Sequence, residues 1–310
     1  MNGAADFAVV VVSYETRELL QACLESVRGE RPAETVVVDN ASGDGSAAMV
    51  RALFPEARLI DNADNPGFGA AANQGIAASR SRYILLLNGD TRVEPGAIDS
   101  LGRELDRHPR AAVAGPLLLN PDGSRQPSVF PFLTPGVVLT LNTYLNRLVR
   151  RAPGFRPVYS VPPAGDVPWV KGAAMAIRRG AFTAVGGFDE GYFLYAEEMD
   201  LCWRLCKDGW RIRFTPEARV IHEEGASTGR LRPEMAVQLF ASVGRFHRLH
   251  SSPGAVERLR WAVRLAMAEH IARDTLKSLW TSDPARRRAL GNDLAVWRRV
   301  LEWGERGPAQ

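Results

Sequence analysis

Residues 82–91, RYILLLNGDT, run apolar from Tyr83 to Leu87 and then turn polar at Asn88, Gly89, Asp90 and Thr91. A carboxylate at the end of a buried strand can cap the next helix, accept hydrogen bonds from a planar base, or hold a cation. Gly89 favours the cation, because it removes side-chain bulk where a diphosphate would approach, and Asn88 offers a second oxygen two residues from Asp90. Mg²⁺ or Mn²⁺ prefers one or two carboxylates plus phosphate oxygens to an all-protein cage. One Asp therefore suffices. Capping of a helix near residue 95 would explain the acid but not the glycine.

A second group of acids, Glu197, Glu198 and Asp200, stands in AEEMDL at the expected start of a helix. Acids in a first helical turn are favoured by the macrodipole. Three of them crowded together also raise one another's pKa, which suits a general base that must take a proton from a hydroxyl near neutral pH. The preceding FDEGYFLY supplies apolar and aromatic surface for positioning a sugar or excluding water. His222 ends the apolar run RVI before a Gly/Ser/Thr loop, where it could be structural or a ligand. Asp39, followed by Asn40, Ser42, Gly43 and Asp44, reads by itself as turn chemistry and helix capping.

These residues need elements to hold them. FAVVVV (7–12) and ETVVVD (34–39) are short β-branched runs, and between them Leu20, Cys23, Leu24 and Val27 recur at helical spacing until Gly29. That is a βαβ unit. Further strands are expected at 57–61, 82–87 and 111–115, with helices near 46–54, 68–79 and 95–107. Apolar strands separated by helices imply a parallel sheet covered on both faces, with ligands at the carboxyl ends of its strands. Those ends would bring SYE (13–15), DNASGDGS (39–46) and NGD (88–90) to one rim.

NPGFGAAANQG (65–75) places Gly67, Gly69 and Ala72 in the G-x-G-x-x-A spacing of a dinucleotide fingerprint, but that fingerprint belongs directly after the first strand, where this chain has SYETRE. It reads instead as a glycine-rich entry that packs a helix close to the sheet and brings Asn65 and Asn73 near the ligand. After Gly115 the sequence predicts a hairpin turning at Asp122-Gly123, a proline-rich loop or lid over 131–168, a strand and short helix in PWVKGAAMAIRRGAF, a helix closed at Gly209, and two strands, RIRFT and RVIH. From about 232 the pattern is helical, with breaks near 251–254 and at Asp283-Pro284. No internal repeat is visible.

The composition is ordinary for a globular chain of 310 residues, with one large core or two smaller ones. Residues 251–310 hold eleven Lys or Arg against seven Asp or Glu, so the whole formal excess of +4 lies in that tail. Four tryptophans (Trp261, Trp280, Trp297, Trp303) fall there too, which suits a helical surface on anionic headgroups, on another protein, or a plain solvated cap. The rest of the chain is balanced and lacks a recognition motif, which argues against nucleic acid. Three cysteines, Cys23, Cys202 and Cys206, cannot build a disulfide framework and read as buried small apolar residues rather than zinc ligands. No signal core opens the sequence, and no apolar run reaches the roughly 20 residues of a membrane span, so a cytoplasmic chain with at most peripheral membrane contact through 251–310 is expected.

Taken together, VVVVSYE, VVVDNASGDGS, NPGFGAAANQG, LLLNGDT, the segment from VKGAAMAIRRGAF to LYAEEMDLCWRLCKDGW, and RVIHEEGAS resemble, in order and spacing over about 7–230, the family 2 glycosyltransferases, in particular their bacterial rhamnosyltransferase-like branch. The resemblance implies an α/β GT-A fold, a Rossmann-like mostly parallel sheet with helices on both faces. The catalytic domain would span 1–230, its nucleotide-binding half about 1–115 and its acceptor half about 116–230, ahead of a helical extension over 231–310. It implies inverting transfer from a nucleoside-diphosphate sugar, assisted by Mg²⁺ or Mn²⁺, to a glycan or lipid-linked acceptor at the inner face of the plasma membrane in cell-wall or polysaccharide synthesis. L-rhamnose from dTDP-rhamnose is the donor reading. UDP-hexose or UDP-N-acetylhexosamine transfer, and a non-catalytic sugar-nucleotide-binding protein, are the alternatives.

By motif position, Ser13, Tyr14 and Glu15 would line the nucleoside pocket and Asp39 would accept a hydrogen bond from the pyrimidine. Asn40, Asn65, Gly67, Asn73, Asn88 and Gly89 would complete the donor side. Asp90 stands at the second acid of the family's Asp-x-Asp, with Asn88 in place of the first, and His222 where some members place a metal or diphosphate ligand. The Glu-Asp pair falls on Glu197 and Glu198, which makes Glu198 the base, with Asp200 as rival. Gly172 and Trp169 would lie on the acceptor side. An oligomer is compatible with all of this.

Overall fold

The computed structural model of the chain describes residues 4–143, 162–223 and 233–306. Strand β1 (Phe7–Ser13) is buried at every position, as a β-branched run covered on both faces must be. Helix α1 (Arg17–Glu30) buries Leu20, Cys23, Leu24 and Val27, one helical face, against the sheet. The chain continues through β2 (Glu34–Asp39), α2 (Ser46–Leu53), β3 (Arg58–Asp61), α3 (Phe68–Ala77), β4 (Tyr83–Asn88), β5 (Thr91–Val93), α4 (Ala97–Arg107) and β6 (Ala111–Leu119). Then come β7 (Val129–Phe130), α5 (Pro135–Leu141), β8 (Gly165–Asp166), β9 (Trp169–Val170), β10 (Ala174–Arg178), α6 (Arg179–Ala184), α7 (Glu197–Lys207) and β11 (Arg211–His222). Three helices follow, α8 (Pro233–His250), α9 (Ala255–Trp280) and α10 (Pro284–Arg306).

The main sheet has the order β3-β2-β1-β4-β10-β6-β11-β5, with β8 on β11, and β7 pairs with β9 in a small second sheet. The first four strands in that order are parallel, and β11 is parallel to β6. Strand β10 is antiparallel to both of its neighbours. That reversal has a functional consequence: the residues entering β10 lie at the rim where β4 ends, with Ala174 opposite Leu87. Strand β11 brings His222 opposite Thr91 at the same rim.

RIRFT and RVIH, expected as two strands, form the single strand β11, irregular between Thr215 and Arg219. Of the expected 131–168 loop, residues 135–141 form α5 and 144–161 lie outside the described residues. The turn at Asp122-Gly123 forms as expected, with Gly123 N–H donating to Asn120 O. Gly75, not the glycine pair 67 and 69, lets α3 approach the sheet, since a Cβ there would collide with Val10 and Val38.

The described residues divide into two units, 4–131 with 162–223, and 132–143 with 233–306. Residues 132–143, expected in the acceptor half of the catalytic domain, thus belong with the C-terminal helices. The second unit has its own core of Val138 on α5, Phe240 and Val243 on α8, Leu259, Val263 and Met267 on α9, and Val300 and Trp303 on α10. Buried Asp274 pins it by accepting from Arg273 Nε at 2.9 Å and Trp297 Nε1 at 3.2 Å. Trp297 and Trp303 therefore serve that unit's interior, and only Trp261 and Trp280 of the four are exposed. Cys23 and Cys202 are buried as expected, whereas Cys206 is exposed.

Candidate active site

The rim begins with the aligned ends of β1, β2 and β4. Ser13 pairs with Asp39, and Val12 with Asn88. The loops beyond are sewn together by polar contacts: Glu15 N–H donates to Ser42 Oγ at 2.9 Å, Gly43 N–H to Glu15 Oε1 at 2.7 Å, and Arg17 N–H to Asp44 Oδ2 at 2.8 Å. Glu15 adopts a left-handed backbone with φ of 53° to make its part of this seam. The buried Asp39 carboxylate accepts from Ser42 N–H at 3.1 Å and from its hydroxyl at 2.7 Å. Burial raises its pKa, and the Ser42 hydrogen bonds work in the opposite direction.

Asn40 donates to Asn65 Oδ1 at 3.3 Å and accepts from Asn62 Nδ2 at 3.0 Å, while Asn65 Oδ1 also accepts from Gly67 N–H at 3.0 Å. Asn40 and Asn65 thereby hold the entry to α3. Tyr14, by contrast, is exposed at the loop surface. Gly89 also makes room within the protein itself. Its missing Cβ would lie 3.1 Å from Ser13 Oγ and 3.0 Å from Thr16 Oγ1, so the space it frees belongs to two hydroxyls of the β1 loop, which themselves lie 3.0 Å apart.

Asp90 caps no helix: α4 is entered through Gly96, and Gly96 N–H and Ile98 N–H donate to Glu30 instead. Asp90 is buried, and its Oδ1 has no hydrogen-bond partner among the described residues. His222 Nε2 lies 3.5 Å from that oxygen, also buried. Its Nδ1 lies 2.7 Å from Gln126 Oε1. The Gln126 amide is oriented by its nitrogen, which donates to Asn120 Oδ1 at 3.0 Å and His222 O at 3.3 Å. Oε1 can only accept, so Nδ1 must carry the ring proton. In the neutral ring, Nε2 then aims a lone pair at the Asp90 carboxylate, an arrangement that needs a cation between the two or a second proton on the ring. An oxygen and a nitrogen ligand with the histidine fixed from behind would suit a divalent cation such as Mn²⁺ or Mg²⁺ that also binds phosphate oxygens. Among the described residues no third His, Cys, Asp or Glu completes a set of metal ligands.

Helix α7 opens after two consecutive left-handed residues, Tyr195 (φ 68°) and Ala196 (φ 66°). Strain of that kind persists where the surroundings over-determine it. Here Gly67 makes the room, because a Cβ on it would run into the Phe193 carbonyl oxygen, and Phe68 N–H donates to that same oxygen at 3.0 Å. Asn73 clamps the other end of the loop, accepting from Phe188 N–H at 3.0 Å and donating to Glu190 Oε1 at 2.9 Å.

The helix start places Glu197 and Glu198 inward. Glu198 Oε1 accepts from Gly172 N–H at 3.3 Å, and a Cβ on Gly172 would lie only 3.3 Å from that oxygen. Glu198 Oε2 and Glu197 Oε2 have no partner among the described residues. Burial drives the pKa of both upward, that of Glu197 furthest with help from the Glu198 charge, whereas the Gly172 hydrogen bond and the Lys171 ammonium draw Glu198 back down. Asp200 is bonded to Arg204 Nε at 2.7 Å and Tyr192 hydroxyl at 3.3 Å, and Arg204 continues to the Val185 and Gly187 carbonyls, each at 2.7 Å. It is part of a structural clamp. Trp169 stacks on Phe130 at 4.9 Å and donates to Pro131 O at 2.8 Å, so its ring is spent on packing.

Gln126 and Lys171 do not stand out in the sequence, yet they connect the two groups of acids. Lys171 Nζ lies 3.4 Å from Gln126 Oε1, Gly172 follows it in the chain, and Asn88 N–H donates to Ala173 O at 3.0 Å. The only sequence signal was a lone lysine before glycine in an apolar run, and a glutamine three residues past a tight turn. The arrangement links an oxygen and nitrogen pair suited to a cation, through Gln126, Lys171 and Gly172, to a carboxylate of raised pKa. That is the equipment for displacing a diphosphate with a deprotonated hydroxyl.

Comparison with known proteins identifies the family and the fold. Residues 8–154 match the family model described as "Glycosyl transferase family 2", and residues 83–263 that of "Glycosyl transferase family group 2". An N-acetylglucosaminyl-diphospho-decaprenol L-rhamnosyltransferase of Mycobacterium tuberculosis is 34% identical over 283 residues, 85% of this chain and 91% of the relative. A pre-mycofactocin glycosyltransferase of the same organism is 30% identical over 70% of this chain and 43% of its own length. Among solved structures, the mannosyltransferase PcManGT of Pyrobaculum calidifontis with GDP-Man and Mn²⁺ aligns with a TM-score of 0.56 and 17% identity, over 97% of this chain and 83% of that one. S. aureus TarS 1–349 with UDP-GlcNAc aligns at 0.51 and 16%, over 97% and 92%. These neighbours share the GT-A fold.

Proposed function

The chain belongs to glycosyl transferase family 2 and is a glycosyltransferase; from that premise we propose that it transfers L-rhamnose from dTDP-rhamnose, with inversion, to a glycan carried on a polyprenyl diphosphate. The relative that shares most of its length with this chain is named for a lipid-linked acceptor and a rhamnosyl donor, which supports both choices. The observation that carries the catalytic reading is the pairing of an unpartnered Asp90 oxygen with His222 Nε2 at 3.5 Å, at the same rim as Glu198.

A divalent cation bound there would supply positive charge against the charge building on the departing diphosphate. Asp90 and His222 would hold it, with Gln126 fixing the imidazole. Ser13, Tyr14, Glu15 and Asp39 would take the nucleoside, Asp39 accepting from the N–H of a pyrimidine. Glu198 would remove the acceptor hydroxyl's proton through Oε2 as that oxygen attacks the anomeric carbon from the face opposite the diphosphate. Glu197 lies beside it, and burial together with the Glu198 charge raises its pKa, which disfavours a second negative charge in the site. The bond of Asp200 to Arg204 favours Glu198 over Asp200 as the base.

The lipid-linked acceptor in that relative's name supports placing the enzyme at a membrane surface, and we take the cytoplasmic side; among the described residues no helix is long and apolar enough to cross a membrane. The test is donor hydrolysis across a panel of dTDP-, UDP- and GDP-sugars with and without Mn²⁺ or Mg²⁺. Cation-dependent turnover of dTDP-rhamnose is expected. Preference for a UDP-sugar would replace the donor, and no hydrolysis or transfer with any sugar would remove the reading.

A further inference from the structure

Helix α9 is apolar on two opposite faces. One face, with Leu259, Ala262, Val263, Ala266 and Met267, is buried in the core of the C-terminal unit. The other presents Trp261, Leu265, Ala268, Ala272, Leu276 and Leu279 to solvent, at the helical spacing of one continuous stripe, and ends at Trp280. These are not grazing exposures: Leu265 is 57% exposed, Leu279 73% and Trp280 87%. A helix that is apolar all round is normally enclosed on all sides, and a contiguous exposed apolar stripe marks a contact surface.

We propose that this stripe docks on an anionic lipid surface, the helix lying in the interface plane. Charge decides the occupant. Between residues 255 and 290 the exposed ionisable groups are Arg258, Lys277, Arg286, Arg287 and Arg288 against Glu257 and Asp283. Glu257 is already paired with Arg260 at 2.7 Å, and no acid lies on the stripe itself. A second copy of the chain would bring the same basic rim against this one, whereas anionic headgroups complement it. Trp261 and Trp280 stand near the two ends of the stripe, about 28 Å apart along the axis at 1.5 Å per residue, the kind of side chain that anchors at the boundary between headgroups and acyl chains. The Arg264 guanidinium lies 4.4 Å over the Trp261 ring, so cation and indole are presented together.

The docking deepens the reading of a lipid-linked acceptor but does not depend on catalysis, and the test keeps the two apart. The full chain is floated with vesicles of phosphatidylglycerol and phosphatidylcholine, and with phosphatidylcholine alone, at low and high salt. Flotation with the anionic vesicles that weakens in salt is expected, with partitioning reduced at least about tenfold in the triple variant Leu265→Ser, Leu276→Ser, Leu279→Ser while donor hydrolysis in vesicle-free buffer stays unchanged. Should the triple variant fold poorly, quenching of tryptophan fluorescence by brominated lipid in the unaltered chain, diminished in Trp280→Phe, gives the same answer. Equal flotation of variant and parent, or none by either, overturns the proposal. So does a dimer in sedimentation that the variant dissociates, which would hand the stripe to a second copy. A chain that floats but hydrolyses no donor keeps this proposal and loses the catalytic one.

Discussion

His222 Nε2 faces Asp90 Oδ1 across 3.5 Å, both groups buried, with the imidazole fixed from behind by Gln126 at 2.7 Å. Two acceptors are not left facing each other in a protein interior without something positive between them. Asp90→Ala should therefore weaken Mn²⁺ and nucleotide binding together in calorimetry, and Gln126→Leu, which removes the group that holds the His222 ring from behind, should cost about 10- to 100-fold in Mn²⁺ affinity. Unchanged Mn²⁺ affinity in both variants would take the cation away from this pair.

Lys171 lies beside Gln126 and sets its charge against the burial that raises Glu198. A base acts as its carboxylate, so activity rises as pH climbs through the Glu198 pKa. Lys171→Met removes the lowering influence and should move the acid limb of the kcat/KM profile to higher pH, with the limb restored by Lys171→Arg. A uniform loss at all pH values, with the limb in place, would make Lys171 a merely structural residue.

Glu197 is a carboxyl whose pKa is raised by burial and by its neighbour. The sign for stability follows: in the window from the ordinary carboxylate range up to the raised value the folded state binds more protons than the unfolded one, so stability falls as pH rises through it. Glu197→Gln keeps the neutral shape and abolishes that loss. Denaturant unfolding should show the variant more stable than the parent at pH 8 and no more stable at pH 4. A variant less stable at pH 8 would mean that the carboxyl is ionised and partnered.

Gly67 holds φ at 92° with its absent Cβ directed at the Phe193 carbonyl. Gly67, with ψ at 169°, occupies a region open essentially to glycine alone, so Gly67→Ala imposes about 1–3 kcal/mol of backbone strain before the collision is counted, and it displaces the loop that delivers Glu198. Thermal unfolding should move down and kcat should fall together. A variant with the parent's melting point and kcat would show that the loop has other support.

The nucleotide side of this site is legible from the sequence because it is local. β-branched runs ending in polar residues fix where Asp39 and Asp90 emerge, and helical spacing fixes α1 and α7. What the sequence does not reveal depends on long-range pairing. Strand β10 runs against its neighbours, and only that reversal carries Lys171 and Gly172 to the rim of Asp90. Gly89 illustrates the limit on a smaller scale: the need for a small residue is readable in the sequence, but the nearness of the Ser13 and Thr16 hydroxyls to it is not. The tail shows it again, since Trp297 and Trp303 share a composition with Trp261 and Trp280 but point into their unit's core.

Glu198 is the group on which the catalytic account rests. Single-turnover transfer by Glu198→Gln, with donor affinity followed in parallel by calorimetry, tests it directly. The predicted result is a loss of about 10²- to 10⁴-fold in rate with donor binding retained, the share that positioned proton transfer contributes. A variant that turns over at the parent's rate would contradict the account.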